Sequence, residues 1–205
     1  MRESYGSSAL EERDLTATWH EQLSTWLDAA VKSAVAEPNA MVLGTANADG
    51  APGVRTVLLK GLDERGLVFF TNLRSRKGTE LRENPRASVA FTWLELHRQV
   101  IVDGRVEAVE ASESDAYFAS RPLGSRLAAV ASPQSEVIAG REDLERRHAQ
   151  LAEASDEPAR PDWWGGLRVV PASVEFWQGR ENRLHDRLRY RLTSDGAWTV
   201  ERLAP

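Results

Sequence analysis

The hydrophobic pattern changes period along the chain, and each change marks an element. Trp19, Leu23, Trp26, Leu27, Ala30, Val31 and Ala34 recur at helical spacing, with Thr18 available as a cap and Pro38 beyond the end, which predicts an amphipathic helix. From Met41 the period shortens: "MVLGTA", "GVRTVLLK" and "LVFFTN" are strand-like runs separated by the turn sequences "NADG" and "DERG". Adjacent antiparallel strands are the natural result. "SRKGTELREN" reads as a short helix ending near Pro85, after which "RASVAFTWLEL" and "RQVIVDGRVEAVE" return to strand composition. Residues 112–152 are helical in character, and "SDEPARPD" is a polar, proline-containing loop. The tail holds "GLRVVPASVEFWQG", "RLRYRL" and "WTVERLA", with "TSDG" as a hairpin turn. At least five strands with few long crossovers predict a barrel, and with the helices an α+β fold.

The 205 residues, 41% of them hydrophobic and 28% charged, fit one globular domain. A net charge of −5 argues against a nucleic-acid binder, so local basic clusters need local anionic partners. No run approaches the roughly 20 apolar residues of a membrane span, and "MRESYGSSALEERDL" lacks the apolar core of a secretory signal, so a cytoplasmic location is expected. With no cysteine, disulfides, thiolate catalysis and cysteine-ligated metal centres are excluded, and four scattered histidines give a metal site little support.

Cations concentrate in four places. In "TNLRSRKG", Arg74, Arg76 and Lys77 sit where a strand hands over to a helix, with Thr71 and Ser75 beside them; this reads as a phosphate site at a helix N-terminus or as a solvated charged turn. In "RTVLLK", strand alternation puts Arg55, Val57 and Leu59 on one face and Thr56, Leu58 and Lys60 on the other, so the two cations serve different groups or mark strand ends. Tyr117, Arg121 and Ser125 are four apart and would share a helix face if the helix ran through Pro122, converging on a phosphate monoester; Tyr117 alone reads as a core aromatic. In "GRENRLHDRLRY", Arg183, His185 and Arg187 would form one row on a strand face beside Trp177, requiring an anion opposite unless the strand is a charged edge.

Taken together, "RTVLLK", "VFFTNLRSRKG", "RQVIVDGRVE", "YFASRPLGS", "PQSE", "FWQGRENRLHDR" and "WTVERLAP" resemble the pyridoxine (pyridoxamine) 5′-phosphate oxidase family, in that family's order and over nearly the whole chain. The resemblance implies a split antiparallel β-barrel with flanking helices, a single domain over 1–205 with residues 1–14 as a flexible arm or lid, and a homodimer with FMN at the subunit interface. It implies oxidation of pyridoxine 5′-phosphate or pyridoxamine 5′-phosphate to pyridoxal 5′-phosphate, with O2 as acceptor and H2O2 as product. Carried over by position, the FMN contacts are Arg55, Thr56, Val57, Leu58, Leu59 and Lys60, then Phe70 and Thr71, Arg76 and Lys77 at the phosphate, and Gln99, Gln134, Ser135, Trp177 and Arg187. The substrate phosphate falls to Lys60, Tyr117, Arg121 and Ser125, and the reacting ring to Arg183, Leu184 and His185, with Arg183 and His185 catalytic. Arg2 and Tyr5 keep an "RxxY" spacing similar to the family's lid. Phe70 stands where the family commonly has tyrosine. The alternatives are an FMN oxidase of the phenazine-biosynthesis type and a non-catalytic flavin or pyridoxal-phosphate carrier.

Overall fold

The computed structural model describes residues 9–154 and 157–205. Helix α1 (Trp19–Lys32) begins where the Thr18 side chain accepts the Glu21 N–H. It buries Trp19, Leu23, Trp26 and Ala30, with Trp26 edge-on to Phe176 at 5.1 Å. The apolar stripe is narrower than the predicted one. Val31 is 62% exposed, and Ala34 lies past the helix end in a left-handed turn with φ 54°.

Strands β1 (Ala40–Ala46), β2 (Pro52–Leu58), β3 (Gly61–Asp63) and β4 (Gly66–Asn72) follow, joined by the predicted tight turns. Gly66 has φ +145°, and a Cβ there would lie 2.1 Å from the Val169 carbonyl oxygen, so both the turn and the close approach require glycine. Helix α2 (Arg76–Glu83) precedes β5 (Arg86–Trp93) and β6 (Arg98–Ala108). The helical region resolves into α3 (Ala111–Ser120), α4 (Leu123–Ala131) and α5 (Arg141–Ala154), before β7 (Trp164–Gln178), β8 (Asp186–Leu192) and β9 (Trp198–Arg202).

Among the described residues these strands form one antiparallel nine-stranded sheet, ordered β2-β1-β5-β6-β7-β4-β3, with β8 also on β7 and β9 on β8. The sheet divides at β7, which is 15 residues long. Residues 164–169 pair with β4 and residues 173–178 with β8, while β6 follows the opposite edge. This curled, divided sheet is the split barrel, and the predicted α+β class holds. One face forms the core, with Leu43, Phe69, Val89, Phe91, Val100, Val102, Val174, Phe176 and Leu188 all fully buried.

The opposite face can be followed strand to strand. Thr56 lies opposite Val42, Val42 opposite Ala90, Ala90 opposite Ile101 and Ile101 opposite Glu175. A parallel row joins Thr92, Gln99, Trp177 and Arg187. Val42 and Val54 on this face are 41% and 73% exposed.

Arg2 and Tyr5 lie outside the described residues. Of the rest of the arm, Leu10 is buried and its N–H donates to Asp186, while Glu12 ion-pairs with Arg202 at 2.9 Å. The chain is therefore anchored to β8 and β9 from Leu10 onward.

The first turn of α2 lies against the preceding loop without space for a side chain. A Cβ on Gly78 would be 2.3 Å from the Leu73 carbonyl oxygen. Alanine gains roughly 1 kcal/mol in helix propensity, but overpacking against backbone costs up to about 3 kcal/mol. Gly78→Ala should therefore destabilise the protein by about 1–2 kcal/mol in urea unfolding. A more stable variant would show that the turn relaxes freely.

Candidate active site

A cavity of about 780 Å³ opens between β2, the end of β4, the start of α2 and helices α3 to α5. At its base is Lys77, buried in the first turn of α2. Ser75 caps that helix by accepting the Gly78 N–H. The Lys77 ammonium donates to Thr71 Oγ1 at 3.1 Å, Ser75 Oγ at 3.2 Å and Gln134 Oε1 at 3.2 Å. Burial, aided by the nearby Arg55 charge and opposed by Glu80, lowers its pKa from 10.5 to about 8. Among the described residues no carboxylate forms an ion pair with Lys77, so its neighbours are neutral oxygens that an anion could join.

Tyr117, Arg121, Ser125 and Lys60 line the same cavity, as the sequence predicted, but not on a continuous helix. α3 stops at Ser120, Arg121 is extended (φ −75°, ψ 147°), and Pro122 occupies the N-cap of α4. The break turns the three residues inward from two helices and the link between them. Tyr117 stacks on Phe70 at 4.0 Å, and Trp164 extends the stack, 5.6 Å from Phe70. Arg121 lies over Trp164, and its Nη1 is buried with no hydrogen-bond partner among the described residues. Burial lowers the Arg121 pKa, against the effect of Tyr117. A buried guanidinium N–H without an acceptor is costly, and an anionic oxygen in the cavity would satisfy it.

The two cations of this segment serve different groups, but the strict alternation does not hold: β2 ends at Leu58, and Val57, expected on the Arg55 face, borders the cavity beside Thr56 and Leu58. Thr56, Val57, Leu58 and Lys60 border the cavity, while Leu59 turns into the core. Arg55 points elsewhere, to the buried Glu80 at 3.0 Å and to Thr45. Arg76, expected beside Lys77 at a phosphate, instead spans one helical turn to the same Glu80 at 2.7 Å, because the i,i+4 spacing places the pair on one side of α2. Neither arginine lines the cavity. Gln134 does, and the next residue, Ser135, takes φ 76° on the exposed loop after it.

The remaining predicted residues form a second group. Gln99, Trp177 and Arg187 are successive members of one cross-strand row. The His185 ring lies 4.6 Å from that of Trp177. The expected strand row of Arg183, His185 and Arg187 does not form. β8 begins only at Asp186, and Asn182 and Arg183 adopt positive φ (56° and 63°) in a short 3-10 turn, which breaks strand geometry. Leu184, 70% exposed, ends the turn. The anion facing Arg187 is Glu175, held by two bonds of 2.7 and 3.0 Å. His185 Nδ1 accepts the Arg180 N–H at 3.0 Å.

The profile of the family described as "Pyridoxamine 5'-phosphate oxidase" matches residues 27–153, and that described as "Pyridoxine 5'-phosphate oxidase C-terminal dimerisation region" matches residues 164–205. The chain belongs to the pyridoxamine 5′-phosphate oxidase family. Pyridoxine/pyridoxamine 5′-phosphate oxidase of Cupriavidus pinatubonensis is 52% identical over 206 residues, covering 100% of this chain and 97% of that protein. The protein of the same name from Trichormus variabilis is 51% identical, covering 100% and 97%. Among solved structures, PhzG from Burkholderia lata in complex with tetrahydrophenazine-1-carboxylic acid superposes with a TM-score of 0.93 at 33% identity, covering 99% of this chain and 100% of that one. A pyridoxamine 5′-phosphate oxidase-related, FMN binding protein from Nostoc punctiforme shares the fold, with a TM-score of 0.74 at 18% identity over 93% of this chain and 100% of that one.

Within this family member, sequence reasoning missed Glu80, Trp164 and the α5 residues Glu145 and His148 that border the cavity. The spacing of Arg76 and Glu80 marks a helical pair, but nothing in the sequence ties either residue to Arg55. Trp164 follows a proline-containing loop and carries no periodic signal.

Proposed function

We propose that this protein is an FMN-dependent oxidase that converts pyridoxine 5′-phosphate, or pyridoxamine 5′-phosphate with uptake of water and release of ammonia, to pyridoxal 5′-phosphate, reducing O2 to H2O2. The observation that carries the reading is one cavity lined by two separate sets of cationic and polar side chains. Lys77 with Thr71 and Gln134 is one; Lys60 and Arg121, with Tyr117 and Ser125, are the other. A flavin phosphate suits the first and a vitamer phosphate the second. The orphaned Arg121 Nη1 and the carboxylate-free ammonium of Lys77 fit such anions.

Flavin bound there supplies hydride acceptance and reoxidation by dioxygen. The chain supplies position and charge. Lys77, Thr71 and Gln134 would hold the cofactor phosphate, with Ser75 supporting Lys77 from behind, and the β2 segment Thr56–Leu58 would border the cofactor. Lys60, Tyr117, Arg121 and Ser125 fix the substrate phosphate, limiting the motion of the carbon that loses hydride. His185, whose Nδ1 accepts the Arg180 N–H, is the hydrogen-bonding or proton-accepting group assigned to the substrate's oxygen or nitrogen. Arg183, exposed on its turn, supplies positive charge beside it.

The second group does not line the cavity of its own chain, and all of it except Gln99 falls inside the segment matched to the dimerisation region. The reading therefore includes a homodimer in which Gln99, Trp177, Arg183, His185 and Arg187 of each subunit complete the partner's cavity. The outward face bearing exposed Val42 and Val54 supports this, because it carries Thr56 as well as the Gln99–Trp177–Arg187 row. Arg2 and Tyr5 are assigned to a lid over the substrate.

The test is aerobic incubation of flavin-loaded protein with pyridoxine 5′-phosphate, following pyridoxal 5′-phosphate and peroxide together. Equal amounts of both are expected. Arg183→Ala and His185→Ala should each lower turnover by about 100-fold with flavin still bound; unchanged turnover would remove them from the mechanism. The likeness to PhzG supports a second reading, an oxidase for an unphosphorylated aromatic. Product from such a compound alone would establish it, and binding without product would indicate a carrier.

A further inference from the structure

The arginines at and around the proposed site are held in two different ways. Arg55 and Arg76 are paired with Glu80, and Arg187 with Glu175. Arg121 has no carboxylate partner among the described residues. Its guanidinium carbon lies 5.0 Å from the Trp164 ring centroid and 5.8 Å from that of Phe118. Both distances are within cation–π range, and tryptophan is the strongest partner.

The Trp164 ring is itself fixed. It is 5% exposed, stacked at 12° on Phe70 and edge-on to Phe118 at 5.0 Å. Its backbone N–H donates to Pro161, and its carbonyl accepts Arg160 Nη1 at 2.7 Å. Trp164 and Phe118 are buried yet stand apart from the main hydrophobic cluster, so they form a separate platform beside the cavity.

We propose that Trp164 is a positioning residue that holds Arg121 through the flat face of its guanidinium and thereby leaves the in-plane N–H groups for a phosphate monoester. The proposal rests on the reading of this cavity as the site of a phosphorylated substrate. The difference from a carboxylate partner is chemical. A carboxylate accepts from the edge N–H groups and cancels the charge, so an incoming phosphate must displace it. A ring stabilises the cation without accepting from those N–H groups. Arg121 lines the cavity, and its buried Nη1 has no partner among the described residues, so no protein acceptor engages that side of the guanidinium.

Trp164→Leu removes the π face while keeping an apolar side chain; Trp164→Phe keeps a smaller ring. On flavin-loaded protein, binding of pyridoxal 5′-phosphate, unphosphorylated pyridoxal and inorganic phosphate is measured by calorimetry for each variant, alone and combined with Arg121→Ala. Trp164→Leu should weaken pyridoxal 5′-phosphate and inorganic phosphate about tenfold, and pyridoxal less than about twofold. Trp164→Phe should recover most of the loss, and in turnover the loss should fall on KM more than on kcat. In the Arg121→Ala background the leucine substitution should have almost no further effect on phosphate binding. Equal weakening of pyridoxal and its phosphate, no recovery with phenylalanine, or a full effect without Arg121 would overturn the proposal and leave Trp164 as packing. If wild-type protein forms no pyridoxal 5′-phosphate but its phosphate binding still shows the Trp164–Arg121 coupling, the substrate reading fails and the positioning role stands.

Discussion

Replacing Lys77 with methionine should weaken FMN binding by up to about 100-fold, read as loss of flavin fluorescence quenching on titration of the apoprotein. A charge-assisted hydrogen bond to phosphate is worth up to about 3 kcal/mol, and each 1.4 kcal/mol is a factor of ten. The pH dependence makes the test specific. Burial first, then the Arg55 charge, lowers the Lys77 pKa from 10.5 to about 8, with Glu80 opposing. A bound phosphate favours the ammonium form, so binding takes up a proton above pH 8. Wild-type affinity should fall as pH rises through about 8, and the methionine variant should lose that fall. Stability of the apoprotein runs the other way. Between pH 8 and 10.5 the unfolded chain holds a proton that the folded chain has released, so this residue's contribution to stability rises with pH in that window. An affinity profile unchanged by Lys77→Met would place the flavin phosphate elsewhere.

Glu80→Ala should lower stability by about 2–3 kcal/mol, seen as a lower urea midpoint with an unchanged slope. The Glu80 side chain is only 5% exposed and holds Arg55, Arg76 and Thr45 together. Its removal leaves Arg55, 19% exposed, without its counter-ion in a partly dry setting. The cost falls short of that of a fully buried pair because Arg76, at 61% exposure, returns to water. Burial alone would raise the Glu80 pKa, but the hydrogen bonds from Thr45, Arg76 and Arg55 outweigh it and hold it below the ordinary carboxylate value. The carboxylate's contribution is thus complete above the unfolded-state pKa of about 4.3, and is lost as pH falls through the lower folded value. Glu80→Gln should remove most of this acid sensitivity. A variant as stable as wild type would show that the network contributes specificity rather than stability.

The fold was legible wherever a local period or turn expressed it. The alternation in "RTVLLK" sent Leu59 inward and Lys60 to the cavity, and Asp/Gly turns bounded the early strands. Legibility ended where local geometry departed from a regular element. Arg183 lies in a left-handed turn and His185 in the link after it, rather than on the strand their spacing suggested, and the α3–α4 break brings Tyr117, Arg121 and Ser125 together without a shared helix face. It ended too where partners are distant in sequence: Glu80 closes on Arg55 across 25 residues, and Trp164 meets Arg121 only after the chain has passed through α4 and α5. Such pairings depend on how elements meet and leave no periodic trace.

Strand β7 begins at Trp164 beside the cavity and carries Trp177 in the other group of proposed site residues. In the proposed dimer, one continuous rod therefore serves two reaction centres, with one end in each. A strand has no half-steps: a slip of one residue would turn Trp164 and Trp177 to their opposite faces together. Alignment in one centre is thereby tied through the backbone to alignment in the other, and an error in either would be felt twice.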